Sequence, residues 1–272
     1  MKFILLAINW NVHPEIFPHN DSIELRWYGF FFFLLLIFGY FYIRRCLKKD
    51  NKPLFMADEI FICLALSLFI GARLAYVFID KWEYFQLHLI EIPMFWKGGL
   101  TGHGAYLFVV LTAVIYTHFR KGISFGWLAD SLVVPVCLAG FLIRLGNFFN
   151  HEIVGIPNSG LIGVNFKYYI ADPVTITRLP IQLIEGMGYL VILVILLFAI
   201  PSKYKQKEGM LMGYALIFIF CWRLMVDSFK EGIVYQSFIG IQLPMSYWLS
   251  FPFIMIGILM VATRSCRKTQ IK

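Results

Sequence analysis

The chain has 272 residues, of which 60% are hydrophobic and 18% aromatic, and its mean hydropathy is +0.73. Charged residues make up only 15%, where a soluble domain carries about 25%. These values exclude a soluble globular enzyme, a disordered chain and a disulfide scaffold, and leave an all-α polytopic membrane protein. The apolar residues come in continuous runs without alternation, which argues against a barrel. The formal net charge of +8 raises the question of nucleic acid, which the placement of the basic residues answers below.

In chain order, Met1–Ile8 is a short apolar stretch with no small-x-small cleavage pattern after it. It opens an arm of about 24 residues expected to lie at the membrane surface. Seven apolar runs follow, at about 25–43, 56–79, 99–118, 127–149, 181–200, 210–229 and 244–263, each near the ~20 residues that cross a bilayer. A polar stretch at about 151–180, between the fourth and fifth runs, reads as a small cap outside the membrane. No internal repeat interrupts the pattern, so one domain over residues 1–272 is expected.

The connectors alternate in basic content. Arg44, Arg45, Lys48, Lys49 and Lys52 follow the first run; Arg120 and Lys121 the third; Lys203, Lys205 and Lys207 the fifth; Arg264, Arg267, Lys268 and Lys272 the last. The positive-inside rule places these in the cytoplasm, with the amino terminus outside. Membrane topology thus accounts for most of the positive charge, and nucleic acid is not implied. Trp27, Trp82, Trp96, Trp127 and Trp248 near the run ends read as an aromatic belt. Cys46, Cys63, Cys137, Cys221 and Cys266 have no metal spacing and read as structural thiols. No cofactor or metal is expected.

Arg73, Arg144 and Arg223 sit inside the second, fourth and sixth runs, where a charge at the bilayer centre costs at least ~2.5–3.5 kcal/mol. All three fall in the outer part of their runs. Arg26 and Tyr28 open the first run on the same side. Gly98-Gly99-Leu100-Thr101-Gly102-His103-Gly104 opens the third. Asn147, Asn150 and Glu152 end the fourth, and Gln182 and Glu185 start the fifth. Asp227, four residues after Arg223, is placed to pair with it. Taken alone, Arg73 is as well read as a structural residue that simply pairs with a backbone carbonyl or a lipid phosphate, and Asn147 and Asn150 as helix-end caps.

Arginines without a matching set of carboxylates suggest an anion, and Arg binds phosphate through paired donors. The phosphate available at this depth is a phospholipid head group. The glycines around His103 are expected to bring backbone amides close to a ligand. His103 itself, with a reference pKa near 6.5, suits proton transfer. The inner halves show few polar groups, Asp130 being the main one. A transporter needs a polar route across the membrane, so a site reached from the outer side is expected.

These segments resemble the prolipoprotein diacylglyceryl transferase family over almost the whole chain. The resemblance runs through His13-Pro14-Glu15, Arg26-Trp27-Tyr28-Gly29, Gly71-Ala72-Arg73-Leu74-Ala75-Tyr76 and the His103 segment. It continues through Arg144-Leu145-Gly146-Asn147-Phe148-Phe149-Asn150 with Glu152 and Gly155, then Gln182 with Glu185, Arg223 with Asp227, and Leu249-Ser250-Phe251-Pro252. The segment from Arg144 is the most specific.

Such a resemblance implies a seven-span bacterial inner-membrane enzyme working on the periplasmic side. It would move the diacylglyceryl group of phosphatidylglycerol to the lipobox cysteine of a prolipoprotein signal peptide, releasing glycerol phosphate. By the same resemblance, His103, Arg144, Arg223 and Tyr28 are expected to be catalytic. Arg144, Asn147, Asn150, Glu152, Gly155, Arg73, Gly99 and Gly104 are expected to bind phosphatidylglycerol, with Arg26, Gln182, Glu185 and Asp227 in support. Departures at Ala105-Tyr106 and Ser246-Tyr247 leave open a paralogue with another acceptor, and the arginine layer alone also fits a non-catalytic phospholipid-binding protein.

Overall fold

The computed structural model of the chain describes residues 6–18, 25–94, 98–99, 101–158, 162–169, 176–201, 207–232, 235–238 and 241–266. The side chains of Leu6, His103, Ile162, Gln236, Ser237, Phe238, Ile241 and Cys266 lie outside that description. So do Trp96 and the basic residues Lys203, Lys205, Arg267, Lys268 and Lys272, together with parts of the expected arm and cap.

The chain is predominantly helical. Long helices are α1 (Trp27–Lys49), α2 (Met56–Ala75), α4 (Gly102–Phe119), α5 (Phe125–Phe149), α6 (Ile181–Val194), α7 (Met210–Asp227) and α8 (Met245–Cys266). A short α3 (Trp82–Phe85) follows α2. Helices α2 and α6 each widen into one π-turn, at Tyr76–Asp80 and Ile195–Ala199. Six of the described helices are long and apolar enough to cross a membrane; Gly104–Phe119 in α4 is apolar but shorter. The expectation of an all-α chain misses two small sheets. Strand β1 (Leu6–Trp10) runs parallel to β2 (Ile162–Phe166), with Leu6 opposite Ile162 and Trp10 opposite Phe166. Strands β3 (Tyr235–Phe238) and β4 (Ile241–Pro244) form an antiparallel pair.

The chain divides into two compact units, Met1–Ile37 with Leu132–Lys272, and Phe38–Ser131. In the first unit, Val133, Cys137, Tyr189, Ile192, Leu196 and Ala215 form a buried apolar cluster from α5, α6 and α7. Helices α7 and α8 meet at two glycines. A Cβ on Gly257 would lie 2.8 Å from the Gly213 carbonyl oxygen, the small-residue contact by which apolar helices approach closely. A second cluster of Phe148, Val154, Val164 and Phe166, with Trp10 against it, joins the β1–β2 pair to the end of α5. His151, buried, holds the arm in place: its Nε2 is 2.7 Å from the Val12 carbonyl oxygen and its Nδ1 accepts from the Tyr168 amide at 3.4 Å. Arg178 is buried in an ion pair with Glu231, and its guanidinium stacks 4.8 Å from the Tyr169 ring centre.

In the second unit, α2 and α4 lie together. Their loop-side ends carry more polar contacts than the sequence suggested. Tyr40 donates to Asp58 at 2.8 Å, and Arg120 and Tyr116 bind Glu59 at 2.6 and 2.9 Å. Asp58 and Glu59 occupy the first turn of α2, where carboxylates complement the helix dipole. Trp127 departs from its expected place in an aromatic belt. It is buried, its indole N–H donates to Asp50 at 2.6 Å, and Lys52 sits over its ring. It therefore ties the connector after α1 to the start of α5.

Candidate active site

The first unit brings together most of the expected site residues. Arg144 lies on the last turns of α5, Glu185 on the first turns of α6, and Arg223 with Asp227 on the last turns of α7. The helical period puts Gln182 and Glu185 on one face of α6, and both are fully buried. Arg144 Nε lies 2.8 Å from Glu185 Oε2. Arg223 Nε lies 3.5 Å from Asp227 Oδ2, the pairing that the i, i+4 spacing foretells. The expectation of arginines without matching carboxylates is thus overturned for Arg144 and Arg223, each of which has one.

A residue that no motif in the sequence singled out completes the cluster. Lys230 Nζ is 2.9 Å from the same Glu185 Oε2 and also contacts Asp227 Oδ1. The charges therefore alternate in a row: Arg144, Glu185, Lys230, Asp227, Arg223. Three cations face two carboxylates, so the row carries a formal excess of one positive charge. Its spacing from Asp227, i+3 at a helix end, was the available signal. Tyr189, also passed over, donates its hydroxyl to Glu185 Oε1 at 2.7 Å, one turn along α6. Trp222 of α7 donates to the Glu185 carbonyl at 3.1 Å and occupies the space left by Gly188.

The arginine row continues into the loop after α5. Arg144 donates from Nη1 to Asn147 Oδ1 at 3.0 Å, and Asn147 donates from Nδ2 to Glu152 Oε1 at 2.9 Å. Asn150 makes a longer contact to the same oxygen, 3.4 Å. Asn147 and Asn150 thus bind side chains, where helix capping was the alternative. Gln182 donates to the Glu152 carbonyl at 2.9 Å, which anchors that loop to α6. Gly155 pairs with Lys230 through an antiparallel bridge, and a Cβ there would lie 2.4 Å from the Leu179 carbonyl oxygen. Tyr28 is half-buried, with its ring over Gly146 of α5: a Cβ on that glycine would meet the ring at 2.9 Å. Arg26 is exposed and pairs by backbone bridge with Glu15, which folds the arm back on the start of α1.

The second unit carries Arg73, Gly99 and Gly104 and the backbone of His103, in the first turn of α4. Arg73 is buried and donates to four backbone carbonyls: Glu91 and Ile92 at 2.7 Å, Gly98 at 2.6 Å and Gly99 at 3.2 Å. Its guanidinium also stacks on Phe85 at 5.1 Å. Of the two readings open for Arg73, the structure shows the carbonyl one. The glycines likewise differ from the expected amide donors. Gly98 and Gly99 take positive φ values, +85° and +77°, and turn their carbonyls toward Arg73. Gly104 is a contact point between helices: a Cβ there would lie 2.1 Å from the Gly71 carbonyl oxygen.

Apolar helices of spanning length, with an alternating row of ionic side chains around two buried carboxylates gathered at three helix ends, define an integral membrane protein with a built polar site. Comparison with known proteins narrows that class. The sequence profile of the family described as prolipoprotein diacylglyceryl transferase matches residues 14–263, and the chain belongs to this family. Among its relatives, the Tolumonas auensis phosphatidylglycerol–prolipoprotein diacylglyceryl transferase is 32% identical over 96% of this chain and 99% of its own length. The Chloroherpeton thalassium protein of the same name is 33% identical over 93% of each chain. That of Chlamydia trachomatis is 35% identical over 96% of this chain and all of its own.

Proposed function

We propose that this chain transfers the diacylglyceryl group of phosphatidylglycerol to the lipobox cysteine thiol of prolipoproteins, releasing glycerol phosphate. Family membership over residues 14–263 supports the reaction. The observation that carries it at the level of residues is the row from Arg144 to Arg223, with its excess of positive charge. A row of that kind, with buried carboxylates and partly exposed cations, favours an anion such as a lipid phosphate. The chain is proposed to cross the bacterial inner membrane seven times, α4 supplying the seventh span. The amino terminus and the site would face the periplasm and the carboxyl terminus the cytoplasm, as the basic connectors indicate.

In the reaction, the substrate thiol gives up its proton and its sulfur attacks the glyceryl carbon. The carbon–sulfur bond forms as the bond from that carbon to the phosphate oxygen breaks, and the electron pair leaves with glycerol phosphate. A thiol near pKa 8.5 is mostly protonated at neutral pH, so a base speeds the step. His103 is the proposed base, with Tyr28 assisting. Arg144 and Arg223 hold the phosphate and stabilise its growing charge. Glu185 and Asp227 hold the Nε side of each guanidinium, which fixes its orientation. Asn147, with Glu152 behind it, aligns Arg144 from the other side, while Asn150, Gly155 and Gln182 shape the loop that carries Glu152. Arg73, Gly99 and Gly104 serve the reaction by building the entry to α4, where Arg73 donates to the Gly99 carbonyl and Gly104 lies against Gly71.

The test is complementation in a strain whose own transferase is repressed. Arg144→Ala and His103→Ala are each expected to abolish lipoprotein maturation while the protein still inserts. Full maturation with both variants would refute the proposal.

A further inference from the structure

We infer that Lys230 is a positioning residue of the anion site, the cation that couples the two arginine–carboxylate pairs, and that Gly155 acts through it. The inference rests on the transferase reading and extends it to a residue and a connection outside the arginine signature.

Glu185 Oε2 is shared by Arg144 Nε at 2.8 Å and Lys230 Nζ at 2.9 Å. Lys230 also contacts Asp227, whose other oxygen faces Arg223. Among the described residues, Lys230 joins two arginine–carboxylate pairs on separate helices by contacting both carboxylates. With it, the row is continuous, and its formal charge rises from zero to one positive. Electrostatic stabilisation of a developing anion depends on such fixed charge in a water-poor site.

The backbone explains how a side chain beyond the end of α7 reaches this position. The 228–231 turn is pinned by two bonds, Ile156 N–H to the Phe229 carbonyl at 3.0 Å and Glu231 N–H to the Val154 carbonyl at 3.0 Å. Gly155 lies between them, opposite Lys230, and its own N–H donates to the Leu179 carbonyl at 3.2 Å. A side chain at 155 would collide with that carbonyl oxygen, 2.4 Å away, and push the segment off the turn that bears Lys230. The glycine therefore sets the distance of the lysine from Glu185 and needs no contact with lipid.

The experiment compares full-length wild type, Lys230→Gln and Lys230→Arg, purified in detergent. It reads retention of phosphatidylglycerol from mixed micelles with phosphatidylcholine, then kcat and KM with a lipobox peptide, then melting temperature. Lys230→Gln is expected to weaken phosphatidylglycerol retention and to lower kcat on the order of 10²-fold, the scale of losing one fixed charge-stabilising donor. KM for the peptide should stay within about twofold, since Lys230 acts on the lipid site. Lys230→Arg should recover most of both. If Lys230→Gln does not fold, Lys230→Gln with Asp227→Asn removes one charge of each sign and avoids an uncompensated carboxylate; the row then keeps its excess of one positive charge but loses the link between its ends, so kcat is expected to fall while retention falls less, and wild-type kcat there would overturn the inference. Wild-type retention and kcat in a folded Gln variant would overturn the inference. So would an Arg variant that melts like wild type and is as inactive as Gln. Should wild type retain phosphatidylglycerol and lipidate nothing, the transferase reading fails, and the retention arm alone decides the role of Lys230.

Discussion

Arg144 Nε lies 2.8 Å from Oε2 of Glu185, a carboxylate with no solvent exposure at all. The contact ties the end of α5 to the start of α6. Tyr189 and Lys230 reach the same carboxylate, so Glu185 answers to three donors from three segments. Breaking a buried pair of this kind by removing one partner costs about 3–5 kcal/mol. Glu185→Gln is therefore expected to lower the melting temperature of the purified protein by several degrees. It should also reduce turnover at least tenfold, because Arg144 loses the group that fixes its Nε. A thermal melt and a lipidation assay on the same preparation check both.

Gly155→Ala tests the backbone side of the site. The added methyl meets the Leu179 carbonyl oxygen at 2.4 Å, and overpacking of this kind costs typically ~1–3 kcal/mol. Activity should fall further than that stability loss explains, since the displaced segment carries Lys230. Equal retention of structure, by circular dichroism, with wild-type turnover would place Gly155 outside the mechanism.

Arg73→Lys separates a structural role from phosphate binding. A lysine cannot reproduce the fork that reaches the four carbonyls from Glu91 to Gly99. The expected result is faster amide exchange over residues 89–94 and 98–99, with kcat lowered. KM for phosphatidylglycerol should change less than twofold. A large rise in that KM with unchanged exchange would restore the lipid-phosphate role.

Acidification should loosen the amino-terminal arm. Burial pushes the His151 imidazole below its ordinary pKa; the bond to the Val12 carbonyl opposes that shift and His13 adds to it. A histidine with a lowered folded value binds its proton more readily when unfolded. Its contribution to stability is then fully present above about pH 6.5, the unfolded value, and is lost as pH falls through the folded value. Protonating Nδ1 also costs the bond from the Tyr168 amide. Melting temperature should therefore drop with pH below that point in wild type, and the drop should be shallower in His151→Asn, a residue that tolerates the positive φ of 56° found there.

The membrane helices were legible because apolar runs of bilayer length leave little choice: six fall on helices long and apolar enough to cross, and the run at about 99–118 falls on the shorter α4. The arginine pairs were half legible: Asp227 at i+4 predicted its partner, whereas Glu185 meets Arg144 across forty residues that no periodicity connects. Lys230 escaped because it follows the last turn of α7 and its side chain returns toward the bundle, a path set by the Gly155 bridge. The glycines were only half legible for a related reason. Their spacing announces close backbone approach without saying to what, and here the neighbours are Tyr76, Gly71 and Leu179. The two sheets involve strands of four and five residues, too short for alternation to stand out, and β1 and β2 lie far apart in sequence.

The most direct measurement is the mass of a prolipoprotein in cells whose own transferase is switched off and which express this chain. A gain of one diacylglyceryl group, lost when Arg144 is replaced by Ala, is the predicted result. An unmodified prolipoprotein beside a correctly inserted wild-type protein would contradict it.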